Sequence, residues 1–466
     1  MSSDLDDRTR LPDRPTTTSS YDTYTDSGVD WLGPIPAHWE VDRLKRTVTK
    51  CKNGYWGDPP EGDETDIATV RVADFDRFSL RVPDQDFTIR SVPADKRKDR
   101  VLQPGDLLLE KSGGGEKQPV GAVMLYDLER PAVCSNFIAR MPVAAGYNPS
   151  FLRYLHGALY NSGLNERAIK QSIGIQNLDA DFYLKQHVPL PPPDEQRAIA
   201  AFLDRATARI DTLVEKKERL VDLLEEKRSA LVSHVVTTGL DADAEMQDSG
   251  VEWLGEIPAG WETVPLKWCT RQDASISYGI VQPGDHVEDG VPFVQTTNIS
   301  SGTFELDHLQ RTDPDIAADY PRSKLEAGDV ILGIRASIGA AYVVPEELEG
   351  ANLSRGIARL ATNEQICPKY LTFYLGSLQV ENYWGLAQQG STFDEVSIAN
   401  VRELTVPVPP LDEQRAIADH LDETTAQIDA LIERVRDGVE RLREYRTALL
   451  SAAVTGEVDV REAVHV

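Results

Sequence analysis

The chain of 466 residues has only four cysteines, Cys51, Cys134, Cys269 and Cys367, and none belongs to a CxxC pair. That spacing excludes the usual zinc frameworks and fits buried thiols in a reducing compartment. No run of about 18 apolar residues occurs, so nothing reads as a membrane span. The opening MSSDLDDRTRLPDRPTTTSS has acids and threonines where a signal peptide needs a basic start and an apolar core. The expectation is a soluble, cytoplasmic protein with no membrane partner. Lysine is scarce too, 15 against 34 arginines, and these 49 bases are outnumbered by 76 acids, for a formal charge of −27. Phosphate binding normally wants a basic face, so the balance speaks against an indiscriminate nucleic-acid binder. An acidic, lysine-poor surface also suits concentrated salt, and low lysine also follows from GC-rich coding.

Catalytic signatures are equally thin. The eight histidines form no HxxxH or HExxH pattern, so His38, His156 and His187 read as packing or surface residues. Asp58-Pro59-Pro60 has the acid and prolines of an amino-methyltransferase motif, but Glu61 stands where an aromatic must stack on a flipped base; a plain turn is the better reading. Gly113-Gly114-Gly115 lacks the lysine and Ser/Thr of a P-loop and reads as a flexible loop beside DNA or solvent. No catalytic residue and no metal is expected on this chain.

What the sequence has in quantity is internal repetition. PLPPPDEQRAIAAFLDRATARID (residues 189–211) returns as PVPPLDEQRAIADHLDETTAQID (407–429), identical at 16 of 23 positions. DSGVDWLGPIPAHWEVDRLK (26–45) matches DSGVEWLGEIPAGWETVPLK (248–267) at 14 of 20. LQPGDLLLEKS parallels LEAGDVILGIRAS, SNFIAR echoes NLSRGIAR, and LVSHVVTTG echoes LLSAAVTG. The chain is two copies of a unit of roughly 220 residues, alike at its ends and divergent in its middle. Copies of one ancestor keep what holds an assembly together and diverge where each meets a different partner, so the middles are the recognition surfaces. They read as mixed α/β, with short strands at residues 67–73, 105–111, 120–126, 291–299, 328–334 and 339–345. A proline-initiated helix closes each, at 149–163 and 368–384.

The PLPPP and PVPPL brackets end the globular parts, since proline neither continues a ladder nor sits inside a helix. Asp194 and Asp412 stand where an N-cap would be. Beyond them Ile199, Leu203, Ala206, Ile210, Leu213, Leu220, Leu224 and Leu231 follow the 3.5-residue period of a coiled-coil seam, interrupted by Lys217 and Lys227. Ile417, Leu421, Ile428, Leu431, Val435, Leu442, Tyr445 and Leu449 keep the same register in the second copy. An amphipathic helix lying on its own domain is the alternative, because 3.5 and 3.6 are hard to separate over so few turns. Two copies related by a two-fold axis would run their helices antiparallel, with one variable domain at each end.

Over residues 26 to 456 these recurring motifs resemble the specificity subunit of type I restriction-modification enzymes. The resemblance implies two pseudo-two-fold-related α/β target-recognition domains separated by two long antiparallel coiled-coil helices. It divides the chain into a disordered tail (1–25), a first target-recognition domain (26–192), a first helix (193–240), a second domain (241–410), a second helix (411–456) and a short tail (457–466). Each domain would read half of a bipartite, asymmetric double-stranded DNA site. The helices would set the spacer and dock two adenine-N6 methyltransferase (modification) subunits, and restriction subunits (translocase and nuclease) would join them. The chain would bind no cofactor itself, with S-adenosylmethionine, ATP and Mg on the partners. A coiled-coil scaffold that binds proteins rather than DNA is the rival, and the net charge favours it. For base reading, side chains with groove-matching donors and acceptors are needed. In the first domain the candidates are Arg97, Lys98, Arg100, Lys111, Ser112, Lys117, Asn136, Lys170, Gln171, Ser172 and Gln176. In the second they are Gln295, Thr297, Asn298, Arg335, Ser337, Asn352, Ser354, Arg355, Gln388, Gln389 and Ser391.

Overall fold

The computed structural model describes residues 20–115, 117–172, 175–299, 304, 309–388 and 395–461. The chain forms two compact units. One draws on the chain up to Lys216 and from Gly438 onward, and the other is Lys217–Asp437. Each unit therefore contains one α/β domain together with part of both long helices, Pro193–Thr238 and Leu411–Thr455.

The two domains have one topology. In the first, a four-stranded antiparallel sheet runs in the order Lys52–Asn53, Ile138–Met141, Asp106–Glu110, Val123–Tyr126. In the second the order is Ser277–Tyr278, Ile357–Leu360, Val330–Gly333, Ala341–Val343. A three-stranded sheet accompanies each, with a parallel pair: Ala132–Cys134 on Asp66–Val70, and Asn352–Leu353 on Val291–Val294. The GD and IAR motifs that recur in the sequence are one buried ion pair. Arg140 Nε donates to Asp106 Oδ2 at 2.6 Å, and Arg359 Nε to Asp329 Oδ2 at 2.6 Å. Each aspartate also accepts an amide of its own turn, from Gln103 and Glu326 respectively.

The first and last strands of each domain pair with each other, which is why their motifs recur together. Glu40–Arg43 pairs with His187–Leu190, and Glu262–Pro265 with Thr405–Val408. Pro189 and Pro407 thus lie inside strands, contrary to the expectation that the bracket excludes them; the ribbons are two-stranded, so a missing N–H can face outward. The long helices start at Pro193 and Leu411, which puts Asp194 and Asp412 inside the first turn rather than at the cap. There they favour the helix dipole and pair with Arg197 and Arg415. Glu195 accepts from the His38 ring at 2.8 Å, and Glu413 from Trp261 Nε1 at 3.2 Å. Gln196 and Gln414 are buried. Gln196 donates to Pro191 O and accepts from Asn148 N, while Gln414 donates to Pro409 O and accepts from Cys367 N. Every residue of the repeated DEQR thus has a structural task, performed twice.

Helix packing corrects the expected seam. The 3.5-residue period holds, and Ile199, Leu203, Ile210, Ile417, Leu421, Ile428, Val435, Leu442 and Leu449 are buried, with Leu224 and Leu231 half-buried. But Leu213, Leu220 and Leu431 are 42–43% exposed, and Val214, Val221 and Ile432 take their places. Alternate layers fall one residue later than the larger leucines suggest. Thr207 and Thr425 occupy another such layer, each hydroxyl donating back to the carbonyl four residues earlier at 2.7 Å. Arg228 and Arg446 take the layer expected at Lys227 and Tyr445. Arg446 donates to Asp211 in one unit, and Arg228 to Asp429 in the other. In the second unit the Arg228–Asp429 and Glu225–Arg436 contacts run in opposite chain directions, so these helix segments are antiparallel.

Three further expectations change. The segment before Asp26 is not wholly a loose tail. Tyr21 is buried against Trp39, Tyr24–Asp26 is a strand, and Tyr24 Oη donates to Gly456 O at 3.1 Å; residues 1–19 lie outside the described residues. At the other end Val460 is buried and Arg461 pairs with Asp459. The helix at 149–163 is Pro149–Asn161, but the helix at 368–384 is two, Pro368–Leu375 and Leu378–Gln388, broken where Ser377 Oγ donates back to Tyr374 O. The triple glycine is not a free loop. Ser112–Gly113 is a strand paired with Gln176 and Asn177, and Gly114 is packed against Gln118 and Val120 at φ +59°.

Two substitutions test this account. Asp106→Ala leaves Arg140 charged and buried without its carboxylate partner, so unfolding stability should fall by about 3–5 kcal/mol in urea titration, and Asp329→Ala should cost less in the other unit, because Arg359 keeps Glu326 Oε1 at 3.0 Å. Asp194→Ala, whose ion pair is surface-exposed, should leave the transition midpoint essentially unmoved.

Candidate nucleic-acid interface

At one end of the sheets in each unit, loops from separate strands are joined by backbone hydrogen bonds, and the same bonds recur in the other unit. Ser135 N donates to Val70 O at 2.9 Å, as Ser354 N does to Val294 O at 2.8 Å. Lys111 N donates to Phe137 O at 2.8 Å, and Ile334 N to Gly356 O at 2.9 Å. Leu178 N bonds Lys111 O at 2.8 Å, and Val396 N bonds Ile334 O at 2.8 Å. Tyr55 N and Ile280 N reach the carbonyls of Cys134 and Leu353. Gly54 and Gly279 make this approach possible, because a Cβ at either would collide with those carbonyl oxygens.

The frame makes individual positions equivalent. Ser112 pairs across the ladder with Asn177, as Arg335 does with Glu395. Asn136 and Arg355 each follow the serine of the first shared bond, and both are exposed. Arg71 and Gln295 each open a 3-10 turn closed by a side chain three residues on: Asp74 accepts Arg71 N at 2.7 Å, and Asn298 accepts Gln295 N at 2.8 Å.

Several expected residues gather on this face. Lys111 Nζ donates to Asn53 Oδ1 at 3.0 Å, Ser112 Oγ to Asn177 Oδ1 at 2.6 Å, and Ser337 Oγ to Thr296 O at 3.4 Å. Arg355 and Arg335 approach Glu395 Oε2 at 3.5 and 4.0 Å. Thr297 is exposed beside Asn298, and Ser354 is half-buried. Others are occupied with structure. Arg97 donates to Val92 O, Arg100 to Asn53 O and Lys96 O, Gln176 accepts from Val120 N, and Lys170 pairs with Asp179 at 2.7 Å. Lys98 is exposed. Lys117 is exposed in a different setting, lining a cavity with Arg77, Tyr160 and Arg446. Asn352 is buried and donates to Ala317 O at 3.3 Å, so it belongs to the core; its two-residue strand turns it inward. Gln171 and Ser172 lie in a strand, Gln388 ends a helix half-buried, and Gln389 and Ser391 lie outside the described residues. Arg71, Asn177 and Glu395 were not among the expected residues. Arg71 was legible, since it follows IATV as Gln295 follows VPFV.

The electrostatics near the first face are locally basic despite the acidic whole. Asp99 lies 3.7 Å from Lys50 and from Lys52, which hold its carboxyl below the usual range. Glu110, under the same loops, is buried, and burial pushes its carboxyl up against the opposing pull of Arg77 at 2.7 Å. Burial also pushes the His156 imidazole down to about 3 and the Cys134 and Cys269 thiols up to about 12, so these groups are neutral packing residues. Among the described residues no His, Cys, Asp and Glu group could hold a metal ion.

Known proteins share this architecture. Residues 285–441 match the family model described as the type I restriction modification DNA specificity domain. The relatives this chain resembles are specificity subunits of type I restriction enzymes. It is 26% identical to the EcoBI specificity subunit of Escherichia coli over 70% of each chain. A putative MjaX specificity subunit of Methanocaldococcus jannaschii is 23% identical over 92% of this chain and 96% of that one. Among solved structures, a chain from work on complex assembly and conformational transition of the type I R-M system superposes with TM-score 0.69 at 18% identity, covering 90% of this chain and 98% of that one. The HsdS subunit from Thermoanaerobacter tengcongensis gives TM-score 0.52 at 19% identity, covering 91% and 98%. These likenesses show the fold. No helix among the described residues is long and apolar enough to cross a membrane.

Proposed function

We propose that each α/β domain reads one half of a bipartite, asymmetric double-stranded DNA site. The observation that carries this is the duplicated loop frame, whose backbone bonds are the same in both units while its tips differ: Ser112 against Arg335, Asn136 against Arg355, Arg71 against Gln295. A frame kept and tips changed is what two readers of different sequences require. The chain carries no chemistry of its own in this reading. It is a cytoplasmic, non-catalytic subunit that directs two adenine-N6 methyltransferase subunits and, through them, restriction subunits. S-adenosylmethionine, ATP and Mg belong to those partners.

The outer faces of the long helices supply the docking surface. Leu213 and Leu431 occupy equivalent positions, are the same residue, and are about equally exposed, with Glu215 and Glu433 beside them. Nothing within either unit needs an exposed leucine there, and two copies of one partner would account for keeping it twice. Leu213→Glu should cut the complex from two methyltransferase subunits per chain to one, and Leu431→Glu should do so at the other position, read by native mass measurement. One methyltransferase per wild-type chain would count against the reading.

The helices, 46 and 45 residues long, would set the distance between the half-sites. An α-helix rises about 1.5 Å per residue. Removing residues 221–227 together with 430–436, which pack on one another through Val221, Ile432 and Val435, deletes one heptad from each and shortens the pair by about 10 Å. At about 3.4 Å per base pair, the preferred spacer should shorten by about three base pairs. Binding should also weaken, since the heads turn by about a third of a DNA turn. Methylome sequencing that recovers the original spacer would show that the helices do not set it.

A further inference from the structure

We infer that Ser112, Asn136 and Asn177, and Arg335, Arg355 and Glu395, are two versions of one base-reading triad, the first shaped for an A·T pair and the second for a G·C pair. The inference rests on the proposed reading of each domain as a DNA reader and assigns the chemistry that the reading leaves open. Three positions superimpose through the frame rather than through sequence likeness. Ser112 and Asn177 face each other across the ladder, as Arg335 and Glu395 do. Asn136 and Arg355 sit on the neighbouring tip, tied to this ladder by the Lys111 and Ile334 amides.

The second triad holds two guanidiniums and one carboxylate. Guanine offers two acceptors in the major groove, N7 and O6, which arginine meets with two donors, while the cytosine amino group of the same pair is a donor that a glutamate accepts. Glu395 stands within 4.0 Å of both arginines, and neither distance is a hydrogen bond. The carboxylate therefore offsets the repulsion of the two cations and aligns them while leaving their N–H donors available. The first triad has no charge. Its serine donates to Asn177 Oδ1 at 2.6 Å, which fixes that amide and leaves its NH₂ free to donate, and the Asn136 amide presents the donor and acceptor that adenine N7 and N6 require. Against guanine an amide has one NH₂ for two acceptors and leaves its carbonyl unpaired, and a guanidinium has no acceptor for the adenine amino group.

Methylome sequencing of the intact complex, with its methyltransferase subunits, tests this. The wild-type site should contain an A·T pair in the half read by the first domain and a G·C pair in the half read by the second. Arg355→Asn should lower the preference at that G·C pair by roughly 10- to 100-fold and leave the other half-site unchanged. Glu395→Gln should relax the same pair, and Asn136→Arg should move one position of the other half-site toward G·C. A wild-type second half-site without G·C, or an Arg355→Asn motif identical base for base, would overturn the triad. The wild-type motif needs no variant, so misfolding of a mutant cannot shelter the idea. A continuous motif in place of two half-sites would instead defeat the underlying reading.

Discussion

One buried glutamine joins each α/β domain to its long helix, and the rest of each unit is built around that joint. Gln196 and Gln414 sit in the first turn of the helix, where their amides have no solvent and must find both a donor and an acceptor. They find a proline carbonyl just beyond the incoming strand and the amide at the start of the domain helix. Strand, helix start and domain helix are thereby fixed at one point. A glutamate in place of either glutamine would lose the donor and bury a charge against a carbonyl, which is why the motif needs the amide.

Duplication separates what the fold needs from what recognition needs. The buried Arg140–Asp106 and Arg359–Asp329 pairs, the glycines beneath the tips and the Arg–Asp pairs between helices are the same in both units. At the Arg140–Asp106 and Arg359–Asp329 pairs one altered residue leaves a buried charge, and at the glycines it makes a steric clash, so change there costs stability. The tips answer to solvent and to a ligand, and they differ in charge as well as in size. An overall charge of −27 coexists with basic side chains at the loop tips, where Glu395 lies beside Arg335 and Arg355 and Asp99 beside Lys50 and Lys52.

Much of this was legible in the sequence because the repeat exposes it. Repetition of PxPP-DEQ, WLG and GD marked the two units, and proline with helical spacing marked Pro149–Asn161. The seam was legible in period but not in phase, because Leu213, Leu220 and Leu431 stand directly before Val214, Val221 and Ile432, and either neighbour keeps the spacing. The order around Tyr21 and Tyr24 was hidden, since a Ser, Thr and Asp-rich stretch looks like a tail and its partner, Gly456, is 432 residues from Tyr24. Arg335, Arg355 and Asn136 stood out as polar residues beside recurring strands. Asn177 and Glu395 did not, because their role comes from ladder partners distant in sequence, and Asn352 misled because a two-residue strand gives no readable alternation.

The central claim is that one frame, used twice, reads two DNA half-sites. It is tested most directly by making the two readers identical: residues 46–186 are replaced by residues 268–404, which begin and end at equivalent positions of the repeat. Under the proposed reading, two identical readers related by a two-fold axis should meet opposite strands alike, so the methylome of the resulting complex should show an interrupted inverted repeat of the second half-site. Retention of the original asymmetric site, or a direct repeat, would contradict the account.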